Sequence, residues 1–424
     1  MPDSRRPLRP LRRLIAGLPR PFWILFAGTL VNRTGTFVVP FLAIYLTRVR
    51  GFSATQAGMV AALYGAGVIV AAPVGGAMAD RIGRRATMMF ALGMGGAGMI
   101  ALGFLHSLAL IAPATFLVAM LGEMYRPAMQ ASIIDVVPAR DRVRAIGLIY
   151  WAINLGVAIG LSLGGLLATV SYTLLFVGDG VTTLAFGFLV WRAVVESRAP
   201  QPARTGPVTM LGHVGEFFVA FRDPPFVAFL ALNVVIAAIF MQHTTTLPLD
   251  MTAHGLSSAT FGMVMALNGL LIVLVQPFLG PWLSRRNPSR VLAAGTALVA
   301  CGFGLNALGH TAPFYALSVS VWTVGEICVL PIAGAMVGDL ARPEVRGRYQ
   351  GAHGLSFGLA ACLAPLAGTF VFQRLGAPML WWGCLGMGLA VAAAHLAWAP
   401  ALTRIRRARL ERAHAASAAT PAAG

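Results

Sequence analysis

The feature that most constrains this chain is a series of apolar stretches, each long enough to cross a bilayer, recurring from Phe22 to Ala399. A crossing helix needs about 20 residues. In lipid no water satisfies the backbone, so a crossing segment is a helix or a strand of a closed barrel. Barrel strands would be about 10 residues long and would alternate apolar with polar positions. These stretches are longer and do not alternate, so helices are expected. Twelve spans are predicted, at 22–46, 55–79, 86–106, 109–137, 143–169, 172–194, 224–249, 258–283, 290–309, 313–339, 347–373 and 377–399. Composition agrees: 58% of residues are hydrophobic and 11% charged, against roughly 25% charged in soluble proteins. The excess apolar surface needs lipid to cover it.

The net charge is +18. On a soluble chain that would suggest nucleic acid, but its placement argues for membrane topology. All 32 basic residues are arginine. With both ends on one side, the terminal segments and the connections on that side hold 27 of them, the opposite connections hold three (Arg48, Arg50, Arg374), and Arg33 and Arg126 lie within spans. This asymmetry predicts cytoplasmic termini and insertion in a cell (inner) membrane, with the lipid bilayer as partner and no nucleic acid. Cys301, Cys328, Cys362 and Cys384 all fall within spans and read as small packing residues rather than a disulfide framework.

The chain repeats itself at an offset of 204 residues. Gly58 matches Gly262, Gly65 matches Gly269, Pro73 matches Pro277, His106 matches His310, Pro127 matches Pro331, Asp135 matches Asp339 and Arg144 matches Arg348. Six spans per copy is an even number, so both copies enter the membrane from the same side, a pattern suited to alternating access between two bundles. The expected organisation is a basic N-terminus (1–21), a six-helix bundle (22–194), a linker (195–223), a second bundle (224–399) and a tail (400–424). The linker places Leu211, Val214, Phe217, Phe218 and Phe221 at helical spacing, which predicts an amphipathic helix on the membrane face.

Between spans 2 and 3 the chain reads Gly76-Ala-Met-Ala-Asp80-Arg81-Ile-Gly83-Arg84-Arg85. This resembles the G-x-x-x-D-[RK]-x-G-[RK]-[RK] signature of the major facilitator superfamily. The second copy, Gly280-Pro-Trp-Leu-Ser284-Arg285-Arg286-Asn287, lacks the aspartate and the second glycine. The resemblance extends over almost the whole chain. It implies an all-α membrane protein of twelve transmembrane helices, in two six-helix bundles related by a parallel pseudo-repeat. It also implies a gating role for Gly76, Asp80, Arg81, Gly83 and Arg84, holding the bundles together on the cytoplasmic side; plain topology signalling by arginine is the competing reading. In span 5, Gly156, Gly160, Gly164 and Gly165 resemble the superfamily's antiporter signature G-x-x-x-G-P-x-x-G-G, with Leu161 where the signature has proline. Glycines four apart also form a smooth stripe for close helix packing, whatever the function.

A charge at the centre of a span costs roughly 2.5–3.5 kcal/mol on insertion scales, so charged residues there usually face a cavity. Glu123, Arg126 and Gln130 in span 4 are three and four residues apart, which puts them on one helix face. Glu123 is the expected proton carrier with Arg126 beside it, and Asp179 and Glu326 are further proton-coupling candidates. A static ion pair is the alternative. Arg33, Asn32, Tyr64, Gln130, Tyr150, Asn154, His243 and Asn268 are candidate substrate contacts. With no Walker-type loop, no His/Cys metal cluster and no Gly-x-Ser-x-Gly element expected, enzyme chemistry is disfavoured and no cofactor is called for beyond a proton gradient. The chain most resembles the twelve-helix drug:proton antiporters, which implies proton-driven efflux of small amphipathic molecules by a monomer. The alternative is a proton-coupled importer of a small polar solute such as a peptide or sugar, since the stretch from Asn32 and Arg33 to Tyr45 resembles span 1 of peptide symporters.

Overall fold

Local signals set where the helices begin and end. Ser53 and Gln56 form a capping box at the start of span 2: the Gln56 amide donates to Ser53 Oγ (3.2 Å) and the Ser53 amide to Gln56 Oε1 (2.9 Å). Asn287 caps span 9 by accepting from the amides of Ser289 (3.1 Å) and Arg290 (3.3 Å). Gly83, at φ 98°, turns the chain from span 2 into span 3 in a single residue, a conformation that a β-carbon strains.

The computed structural model describes residues 17–196, 218–283, 285–341 and 346–419. Among them, 12 helices are long and apolar enough to cross a membrane: Arg20–Val49, Ala54–Ile82, Arg84–Leu102, Leu108–Val136, Arg144–Val170, Tyr172–Ala193, Pro224–Thr244, Ser258–Leu279, Pro288–Leu305, Ala312–Leu340, Arg348–Leu375 and Ala377–Leu402. The fold is the expected all-α arrangement. Residues 197–217, which include Leu211, Val214 and Phe217 of the predicted amphipathic helix, and the first 16 residues lie outside the described segments; Phe218–Arg222 forms a 3₁₀ turn. Span 12 continues as helix to Ala419 instead of ending at 399. Hydropathy stops where lipid stops, whereas a helix continues as long as its residues favour it, and the alanines and arginines beyond Pro400 do.

Two spans break in mid-membrane. Span 1 is helical over Arg20–Thr34, opens at Gly35 to Phe37, and resumes over Val38–Ile44 with a π turn at Tyr45–Val49. Span 4 divides into Leu108–Glu123 and Tyr125–Val136. Pro127 contributes to this second break: it has no N–H for the carbonyl four residues back, which belongs to Glu123, and its ring crowds that carbonyl.

The arginine-rich connections gather at one end of the molecule, the basic end. The packing differs sharply between the two ends. At the opposite end a single buried core spans both bundles, joining Phe37, Phe41 and Phe176 to Phe261, Trp322 and Trp381. At the basic end there are two separate cores. One holds Phe22, Met88, Tyr125, Phe186 and Val190 of the first bundle. The other holds Phe226, Leu283, Met336, Val337 and Leu402 of the second.

Polar contacts repeat the pattern. At the opposite end the Arg48 guanidinium donates to the Thr252 carbonyl (2.6 Å), Thr55 donates through its amide (2.9 Å) and hydroxyl (2.7 Å) to Gln373 Oε1, and Tyr172 Oη lies 2.7 Å from Ser258 Oγ. Midway, spans 2 and 11 touch backbone to backbone, so that a β-carbon on Gly65 would fall 2.5 Å from the Ala361 oxygen. Nearer the basic end, β-carbons on Gly76, Gly147 and Gly354 would meet nothing within 4 Å. The bundles are thus sealed at one end and apart at the other. Large apolar side chains such as Phe278 (82% exposed) and Phe188 (59%) cover the outer circumference, as a lipid-facing surface requires.

Candidate functional site

The break in span 4 puts a charged network at the centre of the first bundle. Glu123, the last residue before the break, pairs with Arg126 one turn beyond it. The Tyr64 hydroxyl of span 2 donates to Glu123 Oε1 (3.4 Å). The Arg33 guanidinium of span 1 donates to the Tyr125 hydroxyl, which donates in turn to Asn32 Oδ1 (3.5 Å), and Asn32 Nδ2 donates to Thr183 Oγ1 of span 6 (3.0 Å). Tyr125 links the chain of contacts, yet nothing in the sequence singled it out beyond its place at the break.

Glu123, Arg126 and Gln130 do not share one opening, contrary to expectation. Arg126 and Gln130, with Arg33, Tyr125 and Met129, line a cleft of about 290 Å³ between spans 1, 4 and 5, whose other walls include Ile133, Ile146, Ile149 and Ile153. Glu123 faces a smaller void of about 40 Å³ that it shares with Tyr64, Asn32, Arg33 and Asp179. That void has room for one or two waters. Arg126 pairs with the Glu123 carboxylate while lining the cleft.

Asp179 carries a different contact from the one expected of a proton carrier. Its Oδ2 accepts from the backbone amides of Phe37 and Val38, at 3.2 Å each. It therefore caps the outer half of span 1 at the point where that span resumes. Arg33, Arg126, Glu123 and Asp179 together supply two guanidinium and two carboxyl groups. With both acids ionised the cluster is neutral, and a proton on Glu123 leaves a positive charge at the cleft wall.

The second bundle has a smaller cluster. Asn268 of span 8 donates to Glu326 Oε2 (2.7 Å) and to Thr323 Oγ1 (3.1 Å) of span 10. Glu326 lies about 21 Å along its span and Glu123 about 22 Å along its own, at 1.5 Å per residue. Each bundle thus carries one acid at the same depth. His243 is held within its own bundle: its Nδ1 lies 2.6 Å from the Phe240 carbonyl, and its ring packs on Phe240 and Trp322. Asn154 donates to the Tyr150 carbonyl (2.9 Å), while its own carbonyl lies against Gly269 in span 8. Tyr150, one helical turn closer to the basic end, falls on this same second-bundle-facing side of span 5 and is half-exposed.

The loop between spans 2 and 3 is tied inside the first bundle. Arg84 pairs with Asp80 (3.6 Å) and with Asp135 at the end of span 4 (3.3 Å), and it donates to the Ala79 carbonyl (3.3 Å). Glu196 accepts from the amides of Arg84 (2.9 Å) and Arg85 (3.0 Å), so it caps span 3 from beyond the end of span 6. Its only sequence signal was an acid among arginines. The Asp80 side chain is 73% exposed. Arg81 lies in the last turn of span 2, and Gly76 is one and a half turns earlier.

The glycine stripe of span 5 packs on span 1, not across the bundles. Positions for β-carbons on Gly156 and Gly160 are filled by Arg33 and Thr34, and the position at Gly164 by Phe37 and Phe41. Leu161 and Gly165, on the neighbouring face, meet Gly262 of span 8. Span 5 passes through Leu161 as one helix, Arg142–Val170.

Two further expectations need correction. Gly-x-Ser-x-Gly does occur, at Gly160–Gly164 and Gly354–Gly358, but both lie within continuous helix, away from any strand-to-helix elbow. Ser162 Oγ donates to the Ala158 carbonyl (3.1 Å) and Ser356 Oγ to the His353 carbonyl (2.6 Å). In addition, the fold brings Asp250, His254 and His310 together, although no metal-ligand spacing is visible in the sequence.

The comparisons with known proteins agree with this architecture. The Major Facilitator Superfamily profile matches residues 25–250 and 243–422. The MFS-type transporter YqjV of Bacillus subtilis is 26% identical over 361 residues, covering 84% of this chain and 87% of that protein. A Na(+), Li(+), K(+)/H(+) antiporter of Planococcus maritimus is 24% identical over 365 residues (80% and 86%), and the class C tetracycline resistance protein of Escherichia coli is 26% identical over 358 residues (83% and 87%). Among solved structures, a POT family transporter in complex with 5-aminolevulinic acid superposes with a TM-score of 0.77 at 16% identity, over 92% of this chain and 98% of that one. The paired six-span bundles, the Asp80 loop and the profile match over both halves establish that the chain belongs to the Major Facilitator Superfamily, a family of transporters rather than enzymes.

Proposed function

We propose that this transporter is a proton-coupled antiporter that exports small amphipathic molecules by alternating access, from an inner membrane in which the basic end is cytoplasmic. In this reading the conformation described above is inward-facing. The observation that carries it is the Glu123–Arg126 pair, placed between a small void lined by Tyr64, Asn32 and Asp179 and a larger cleft walled by isoleucines. An ionised Glu123 neutralises Arg126. A protonated Glu123 releases the guanidinium to the cleft, so proton and substrate occupancy depend on each other. The isoleucine walls with Arg33, Arg126 and Gln130 suit a ligand with an apolar body and a polar end. The names of two relatives, the cation/proton antiporter and the tetracycline resistance protein, point the same way.

Asp80, Arg81 and Arg84 gate the basic end in this scheme: Asp80 is exposed here and meets the second bundle only after that end closes. Glu326 is a second proton site, and Tyr150 and Asn154 face the path between the bundles. The proton gradient supplies the energy, and one chain suffices. The test is proton-driven accumulation of a panel of amphipathic dyes and antibiotics in inside-out vesicles. Glu123→Gln is expected to reduce it at least tenfold while preserving downhill exchange; undiminished proton-driven transport in that variant would exclude the role. The alternative, import of a small anionic solute, is favoured by Arg33 and Arg126 both lining the cleft. Uptake into right-side-out vesicles that stops with an uncoupler would select it.

A further inference from the structure

At the sealed end, the extension of span 7 (Thr246–Ala253) carries a polar cluster that the transport scheme leaves unused. Asp250 is fully buried. Its Oδ2 accepts from the Tyr315 hydroxyl (2.9 Å) and from Trp381 Nε1 (3.0 Å), which fixes the carboxylate in place. Its Oδ1 is buried without a hydrogen-bond partner. His254 follows one turn later with its Nδ1 3.4 Å from that oxygen, and the ring of His310, on the connection between spans 9 and 10, stacks on the His254 ring at 3.7 Å. One ligand atom from each of the three lies within 4.8 Å of the others.

We propose that Asp250, His254 and His310 form a binding site for a divalent transition-metal ion of the zinc class. One carboxylate and two imidazoles match a three-ligand zinc set with an open fourth position. The 3.4 Å separation of Oδ1 and Nδ1 equals the edge of a tetrahedron about an ion with bonds of ~2.1 Å. Tyr315 and Trp381 play the supporting part that outer partners of a ligating carboxylate play in such sites. His310 is exposed and sits on a connection, so its ring is free to turn from the stacked pose toward the ion. Binding replaces the contact that His254 Nδ1 makes with the Asp250 backbone carbonyl (2.9 Å) by a bond to the ion.

The internal repeat shows that the cluster is particular to the second half. At the 204-residue offset, Asp250, His254, Tyr315 and Trp381 correspond to Leu46, Arg50, Ile111 and Val177, and only His310 has a like partner, His106. The same offset relates Arg48 to Thr252, which touch each other across the two bundles at this end. An ion bound two residues either side of Thr252 would stiffen one bank of that seam.

The test uses the full chain without a histidine tag, stripped with a chelator, in nanodiscs, titrated with Zn²⁺ against a chromophoric chelator. One equivalent is expected to bind, at least tenfold more weakly in His310→Ala and in His254→Ala, and unchanged in His106→Ala. No saturable binding, or equal affinity in the wild type and both site variants, would overturn the site. This titration is independent of the substrate and of the proposed topology. The seam effect rests on that proposal: Zn²⁺ outside is expected to slow transport at least threefold in the wild type and not in His310→Ala. Intact binding with unaltered transport would overturn the seam effect alone.

Discussion

At Gly160 a β-carbon would stand 2.9 Å from the Arg33 carbonyl oxygen, where the backbone of span 1 cannot retreat without moving the break at Gly35. Gly160→Val is therefore expected to destabilise the first bundle by about 1–3 kcal/mol, read as a lower midpoint in thermal unfolding in detergent. If the stripe served only movement between bundles, transport would fall while the midpoint stayed put. The pairing of Glu123 with Arg126 was legible in the sequence, because a three-residue spacing brings side chains together even across a break one residue long. The partners of Asp179 and Glu196 were not legible. Both acids cap helices that are remote in sequence, and a cap is chosen by which amides happen to lie within reach.

Span 1 illustrates what an element needs beyond hydropathy. Its outer half begins at Val38, whose amide finds its acceptor in Asp179 of span 6; the Phe37 amide is shared between Asp179 and the Gly35 carbonyl. Asp179→Ala leaves the buried Val38 amide without that acceptor, while the Phe37 amide keeps the Gly35 carbonyl (2.8 Å), and is expected to cost roughly 1–3 kcal/mol. Asp179→Asn retains an acceptor oxygen and is expected to keep proton-coupled transport within about twofold of wild type. Loss of coupling in the Asn variant, at normal folding, would return Asp179 to the proton carriers. The two repeat-related prolines teach a related lesson. Pro127 lies just beyond an open break, whereas Pro331 sits within an unbroken helix, Ala312–Leu340. The same residue at the same register thus gives two backbones, because neighbouring helices decide whether a freed carbonyl is tolerated in place.

For the whole molecule, one core at the sealed end and two at the basic end describe a single conformation of a two-body device. Cysteines at Thr55 and Gln373, joined by a short reducible cross-linker, are expected to hold that end closed and to bring transport to background, with recovery on reduction. Full-rate transport by the cross-linked protein would show that this seam does not open. The number of spans, their grouping in two repeated sixes, the arginine asymmetry and the Asp80 loop could all be read from the chain alone. Each is a pattern of hydropathy, charge or spacing along the backbone, and lipid enforces such patterns segment by segment. Which end is sealed, which face of the glycine stripe is covered, and the meeting of Asp250 with His310 were decided only by tertiary packing. They depend on how two bundles of related sequence lean on one another, and no local pattern records that balance.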